Sequence, residues 1–284
     1  MSDTTVPPRL HVILARESNR AIIIRRGAKK MTCTMEWDRK NDKFTLGQWF
    51  KGRIYQYRCD LSPDGRSFIF FAANHKTYPF SWTAISYSPF LTARVFYPWS
   101  WCWNGGGAFL NDNVYWLFAS KHDKGKCVQI DAEFKRKEDV PEGYSDAMGE
   151  CPGIYFSRIQ RDGWTIQDQT APSEYQFRKT VDENWTLERT FHLGSQKLDA
   201  IGQKTPVYWE SYQLIHKSGN IQKMDWEWAD IDSDRGIVIT KDGKVFRANI
   251  EDKQKITEVC VYDLNDMSFE NVKAPYQGVK WRKE

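Results

Sequence analysis

The sequence predicts an all-β chain of short antiparallel strands. Runs rich in Val, Ile, Tyr, Phe and Trp recur along its length, residues that form turns separate them, and no segment sustains a helical period beyond about two turns. Aromatic residues make up 15 % of the chain, with 13 Trp, and these side chains suit a pleated, half-buried surface.

In order, strand-like runs cover 10–15, 21–25, 43–49, 54–58, 67–72, 84–88, 93–97, 114–118 and 127–132. They continue at 153–159, 164–168, 185–191, 207–215, 221–226, 236–240, 244–249, 257–262 and 268–272. Residues 1–9 read as a flexible tail, 133–151 as a long surface loop and 194–206 as a second one, all within a single domain spanning 1–284. Asp162-Gly163, Asp242-Gly243, Ser218-Gly219-Asn220 and Asn111-Asp112-Asn113 supply residues that tolerate positive φ, as tight hairpins require.

The most informative stretch is 60–72, DLSPDGRSFIFFA. Pro63 presets φ for a turn, Asp64 can bond its own backbone, and Gly65 takes the left-handed position. Phe68 and Phe70 then face one way, and Ile69 and Phe71 the other. A strand apolar on both faces must be covered on both, as the inner strand of a propeller blade is. Related patterns stand at 15–24, 109–117 and 228–240, and the stretches at 15–24, 60–72 and 109–117 lie about 45 residues apart, the period of a four-stranded blade. Leu61-Ser-Pro-Asp-Gly65 leading into Phe68–Ala72 resembles the blades of TolB-type and WD-repeat-like β-propellers. The resemblance implies a propeller, for which the length suits about five antiparallel blades, or else six, and it carries no catalytic residue with it.

The composition, 40 % apolar and 27 % charged, is that of a globular protein rather than a disordered or membrane one. The beginning of the chain shows no basic segment followed by an apolar one, and no run nears the ~18 apolar residues that span a bilayer, so a cytoplasmic protein is expected. Six scattered cysteines without CxxC spacing fit free thiols in a reducing compartment. Lys and Arg number 41 against 37 Asp and Glu, a net charge of +4 that is too small by itself to imply a nucleic-acid partner, and neither nucleic acid nor a membrane is expected as a partner. The clusters 25–30 and 135–137 read as solvated loops.

No nucleophile motif, phosphate loop or metal-ligand spacing is present, and neither a cofactor nor a metal is expected. The five histidines, His11, His75, His122, His192 and His216, follow no ligand pattern. Asp230, Asp232 and Asp234 alternate like cation ligands, but Lys241 occupies the twelfth position, where a Ca²⁺ loop needs a carboxylate. Glycoside hydrolysis needs only paired carboxylates, for which Asp60, Glu210 and Asp230 are the candidates. The most distinctive segment is Tyr97-Pro-Trp-Ser-Trp-Cys-Trp-Asn-Gly-Gly-Gly107. In an extended chain Trp99, Trp101 and Trp103 share a face, and with Asn104 they form a candidate ligand platform; packing between blades is the competing reading. The expected function is a non-enzymatic binding module that recognises a protein partner. The alternative is a carbohydrate-active propeller, either a hydrolase or a lectin-like glycan binder.

Overall fold

A computed structural model describes residues 6–27, 30–119, 125–144, 150–169, 171–194, 207–232, 235–251 and 255–280. The chain is all-β, with several antiparallel sheets, and no closed barrel or propeller is found among the described residues. It divides into two compact units, Met1–Arg161 with Asp266–Glu284, and Asp162–Asn265.

The first unit begins with a four-stranded meander: β1 (Arg9–Leu14), β2 (Arg20–Arg26), β3 (Met31–Asp38) and β4 (Lys43–Lys51). Arg9 therefore belongs to a strand rather than to the expected tail, while residues 1–5 lie outside the described residues. The next sheet contains β5 (Arg53–Ile54), β6 (Asp60–Leu61), β7 (Ser67–Ala73), β8 (Ser81–Tyr87), β9 (Val95–Trp99) and β12 (Val128–Gln129). A third joins β10 (Gly107–Phe109), β11 (Val114–Leu117) and β13 (Lys135–Lys137), the last pair running parallel.

β7 is the double-sided strand, buried along its whole length. Phe68, Phe70 and Ala72 pack with Ile22, Ile24 and Leu61, whereas Ile69 and Phe71 pack with Val95, Phe109, Tyr115 and Leu117. Burying each large apolar side chain stabilises the fold by about 1.5–3 kcal/mol. The preceding turn is built as its residues dictate: Gly65 has φ +76°, its N–H donates to Ser62 O at 2.9 Å, and Asp64 Oδ1 accepts the Arg66 N–H at 2.9 Å. A Cβ on Gly65 would lie 2.5 Å from Arg20 Cβ, so the site is closed sterically as well as conformationally.

One expected strand is a helix. Residues 153–159 lie inside α1 (Glu150–Arg161), where Ile154, Tyr155, Phe156, Arg158 and Ile159 are buried. Short apolar runs do not separate strand from buried helix by periodicity. The usable signals were Pro152 in the first turn and Gly163 just past the end, at φ +93°, where it follows the helix instead of closing a hairpin. The expected loop 133–151 is likewise interrupted by β13 and by the start of α1, and its residues 145–149 lie outside the described residues. Residues 268–272 form no strand.

The second unit holds two meanders. One comprises β14 (Thr165–Ile166), β15 (Glu174–Thr180), β16 (Trp185–Leu193), β17 (Tyr208–His216) and β18 (Ile221–Met224). The other comprises β19 (Trp228–Asp232), β20 (Gly236–Lys241), β21 (Lys244–Ile250) and β22 (Ile256–Asp263). Asp242 and Gly243, at φ +51° and +73°, close the β20–β21 hairpin as expected. Most of the second expected loop, 195–206, lies outside the described residues.

Candidate functional site: a basic rim

Three connections of the first unit meet at one end of its sheets. Arg53 pairs with Ala73, Met31 with Lys51 and Ser81 with Trp99. The β2–β3, β4–β5 and β7–β8 connections are consequently neighbours. Gly52 N–H donates to Lys30 O at 2.9 Å, and Thr32 Oγ1 donates to Gly52 O at 3.0 Å. Gly52 has no room for a side chain, since a Cβ would come within 2.2 Å of the Phe50 ring. In the β7–β8 loop, Asn74 Oδ1 accepts the Lys76 N–H at 2.7 Å and the Thr77 N–H at 3.2 Å.

These connections enclose a cavity of about 480 Å³, lined by Arg26, Lys30, Lys51, Arg53, His75 and Lys76, with no carboxylate among its described lining residues. None of the five Lys and Arg side chains forms an ion pair among the described residues. Arg53 lies over the Tyr55 ring at 4.3 Å, and Tyr55 OH is 2.9 Å from His75 Nε2. Lys30 and His75 both hold positive φ, +60° and +56°, a costly conformation for residues with a Cβ. Burial, then repulsion from Arg53 and Lys30, lowers the pKa of His75 below its ordinary value. Burial, then Arg53 and Arg9, lowers that of Arg26. Burial first, and crowding of like charge after it, lower the pKa of these two groups that line the cavity.

The tryptophan segment adjoins this rim. β9 ends at Trp99, and the chain then bends, so the three indoles do not share a face: Trp99 is 1 % exposed in the core, Trp101 49 % and Trp103 72 %. Asn104 is buried. Cys102, between the exposed indoles, has Sγ 3.9 Å from His75 Nδ1, and its carbonyl accepts from Arg58 Nη1 at 2.7 Å. The triglycine serves packing, since a Cβ at Gly105 would lie 2.5 Å from the Phe71 ring.

The expected acids are placed differently. Asp60, fully buried, accepts from Arg161 Nη1 at 2.7 Å and Nη2 at 3.0 Å, and from the Phe109 N–H at 2.8 Å. Burial pushes its pKa up, but Arg161, Arg158 and the Phe109 N–H outweigh that and hold it below the usual carboxylate range. Asp60 belongs to the first unit, Glu210 and Asp230 to the second. Asp230 accepts from Lys179 Nζ at 2.8 Å and Trp164 Nε1 at 3.3 Å, and Glu210 lies 3.7 Å from Arg189 Nε. Arg189 also lies over the Trp164 ring at 4.1 Å and donates to Ala229 O at 2.6 Å. Each of the three acids is paired with a cation. Asp232 pairs with Arg247 at 3.1 Å, and Asp234 lies outside the described residues.

One arrangement was not anticipated. On β15–β17, His192 Nδ1 lies 3.0 Å from Glu174 Oε1 and Nε2 lies 2.9 Å from Ser211 Oγ, with Trp209 stacked on the imidazole at 3.6 Å. These are the contacts of a Ser–His–acid triad. Ser211, however, lies inside the β16–β17 ladder opposite Thr190, rather than on a turn that aims backbone N–H groups at a reacting carbonyl. The register explains the contacts: Glu174 and His192 are directly opposed across two strands, and Ser211 lies diagonally beyond.

No helix among the described residues is long and apolar enough to cross a membrane. No family model matches the chain, and a search of curated proteins found no match.

Proposed function

We propose that the protein is a non-catalytic binding module on a propeller-type β scaffold, with the basic rim of the first unit as its recognition surface. The carrying observation is an imbalance of charge. Asp60, Glu210 and Asp230, the candidate acids, each have a cation beside them, whereas five cations around one cavity face no carboxylate among the described residues. Groups neutralised in this way support structure; groups left unopposed can engage a ligand that brings negative charge. Successive meanders, and the packing of β7 against the β2 side on one face and the β10–β11 side on the other, support the blade reading and the TolB-type or WD-repeat-like resemblance. That the six cysteines form no disulfide among the described residues supports a reducing, cytoplasmic setting.

A protein partner is the second reading, favoured by the exposed Trp101 and Trp103, since Trp is prominent among interface hot spots. The non-catalytic reading is tested by incubating the purified protein with a serine-reactive fluorophosphonate and with panels of aryl glycosides and esters. No labelling and no turnover are expected. Turnover abolished by Ser211→Ala or Glu210→Gln would replace the proposal with an enzyme.

A further inference from the structure

We infer that the basic rim and the two exposed indoles together form a binding site for single-stranded nucleic acid. This rests on the binding-module reading above and names its ligand class.

The first part of the ligand's signature is charge. Arg26, Lys30, Lys51, Arg53 and Lys76 come from strand ends and connections in three separate stretches of sequence and converge on one cavity with no carboxylate among its described lining residues. Collecting unopposed cations is unfavourable in the free protein. The same cations become favourable when a phosphodiester chain enters and displaces its counterions. The net charge of +4 averages over the whole chain and does not register this concentration.

The second part is the aromatic neighbourhood. A ligand that offered only phosphates would have no use for indoles beside the cations. Trp101 and Trp103 are exposed on a segment whose intervening Cys102 touches His75 of the cavity wall. Cations that follow a backbone, next to aromatic faces that accept bases, form the combination that binds single strands without strong sequence preference. A double helix keeps its bases stacked inside and cannot use the indoles. The cavity of about 480 Å³ is also concave and falls within the range that holds a unit the size of a small molecule, as one nucleotide is.

The third part is backbone geometry. Lys30 and His75, both lining the cavity, adopt left-handed φ. Such strain persists where surrounding structure enforces it and clusters at ligand clamps. Here it is enforced by the Gly52-to-Lys30 hydrogen bond on one side and by the bonds from the Asn74 and His75 N–H groups to Phe80 O on the other.

The test is fluorescence anisotropy of the full chain with labelled dT20 and rU20 over a series of salt concentrations. Binding of either strand is expected with a dissociation constant at or below the order of 10⁻⁵ M at low salt, weakening steeply as salt rises. The triple change Lys30→Ala, Lys51→Ala, Arg53→Ala should weaken binding at least tenfold and reduce the salt slope by about 2, each phosphate contact contributing roughly 0.7. Trp101→Ala with Trp103→Ala should weaken binding about tenfold or more and leave the salt slope unchanged. Both sets of changes lie on exposed residues, and circular dichroism reports whether each variant remains folded. Inorganic polyphosphate and a 20-bp duplex are the controls. If polyphosphate binds as tightly as dT20 and the indole variant is unaffected, the nucleic-acid inference falls while the binding module stands. Preference for duplex, or no binding of either strand at 50 mM salt up to about 100 μM protein, also overturns it. Shortening of the oligonucleotide during incubation would instead overturn the non-catalytic reading and leave the ligand class intact.

Discussion

Replacing Arg161 by Ala tests whether Asp60 is a support of the fold or a poised acid. Asp60 is fully buried and receives two bonds from Arg161 and one from the Phe109 N–H. Removing one partner of a buried pair leaves an uncompensated charge and costs about 3–5 kcal/mol. The remaining Phe109 N–H and the field of Arg158 should hold the loss to about 3 kcal/mol, and against a total stability of about 5–15 kcal/mol that is a large fraction. Urea unfolding at pH 7 reads it directly. The pH dependence has a definite sign. In the wild type the folded pKa of Asp60 is depressed, so its contribution is fully present above the unfolded value, about 3.9, and is lost as pH falls through the lower folded value. In Arg161→Ala the carboxyl is buried beside fewer cations and its folded pKa rises, so lowering the pH relieves the variant before it affects the wild type. The stability gap should therefore narrow from pH 7 toward pH 5. A variant within 1 kcal/mol of wild type at pH 7, or a gap that does not change with pH, would refute the structural assignment of Asp60.

Trp99→Ala should cost about 3–5 kcal/mol through the cavity it leaves, whereas the double change at Trp101 and Trp103 should stay within about 1 kcal/mol; thermal unfolding of the two proteins side by side decides. The His75 ring should titrate below its ordinary value in an NMR pH series, and Arg53→Ala should move its pKa upward by removing a neighbouring charge; no change would mean that Arg53 does not act on the ring. Among the thiols, exposed Cys260 should react with Ellman's reagent in the native protein, while Cys33 and Cys59, buried and with pKa values pushed up to about 12, should react only after denaturation.

Local chemistry made much of the fold legible. The alternation of Phe68, Ile69, Phe70 and Phe71 required cover on both faces, and Gly65 and Asp242-Gly243 required turns at their positions, because period and φ preference act within a few residues. The helix Glu150–Arg161 was misread for a related reason: Ile154-Tyr155-Phe156 suits a strand equally well, and what selects the helix is the packing of its buried face together with bonds such as Arg158 Nη1 to Cys59 O at 2.7 Å.

The site was decided at longer range. Arg161 meets Asp60 across 101 positions, which turns a candidate acid into a support. Trp99 and Trp103 are four residues apart in one aromatic motif, yet the end of β9 buries the first and exposes the second. Of the cations in the rim, only those at 25–30 formed a visible cluster; Lys51, Arg53 and Lys76 join them because strand pairing brings their connections to the same end of the sheets. Backbone preference is a property of neighbours in sequence and could be read from the chain alone. Burial and charge compensation are properties of neighbours in space, and only the tertiary structure determined which acids were neutralised and which cations remained unopposed.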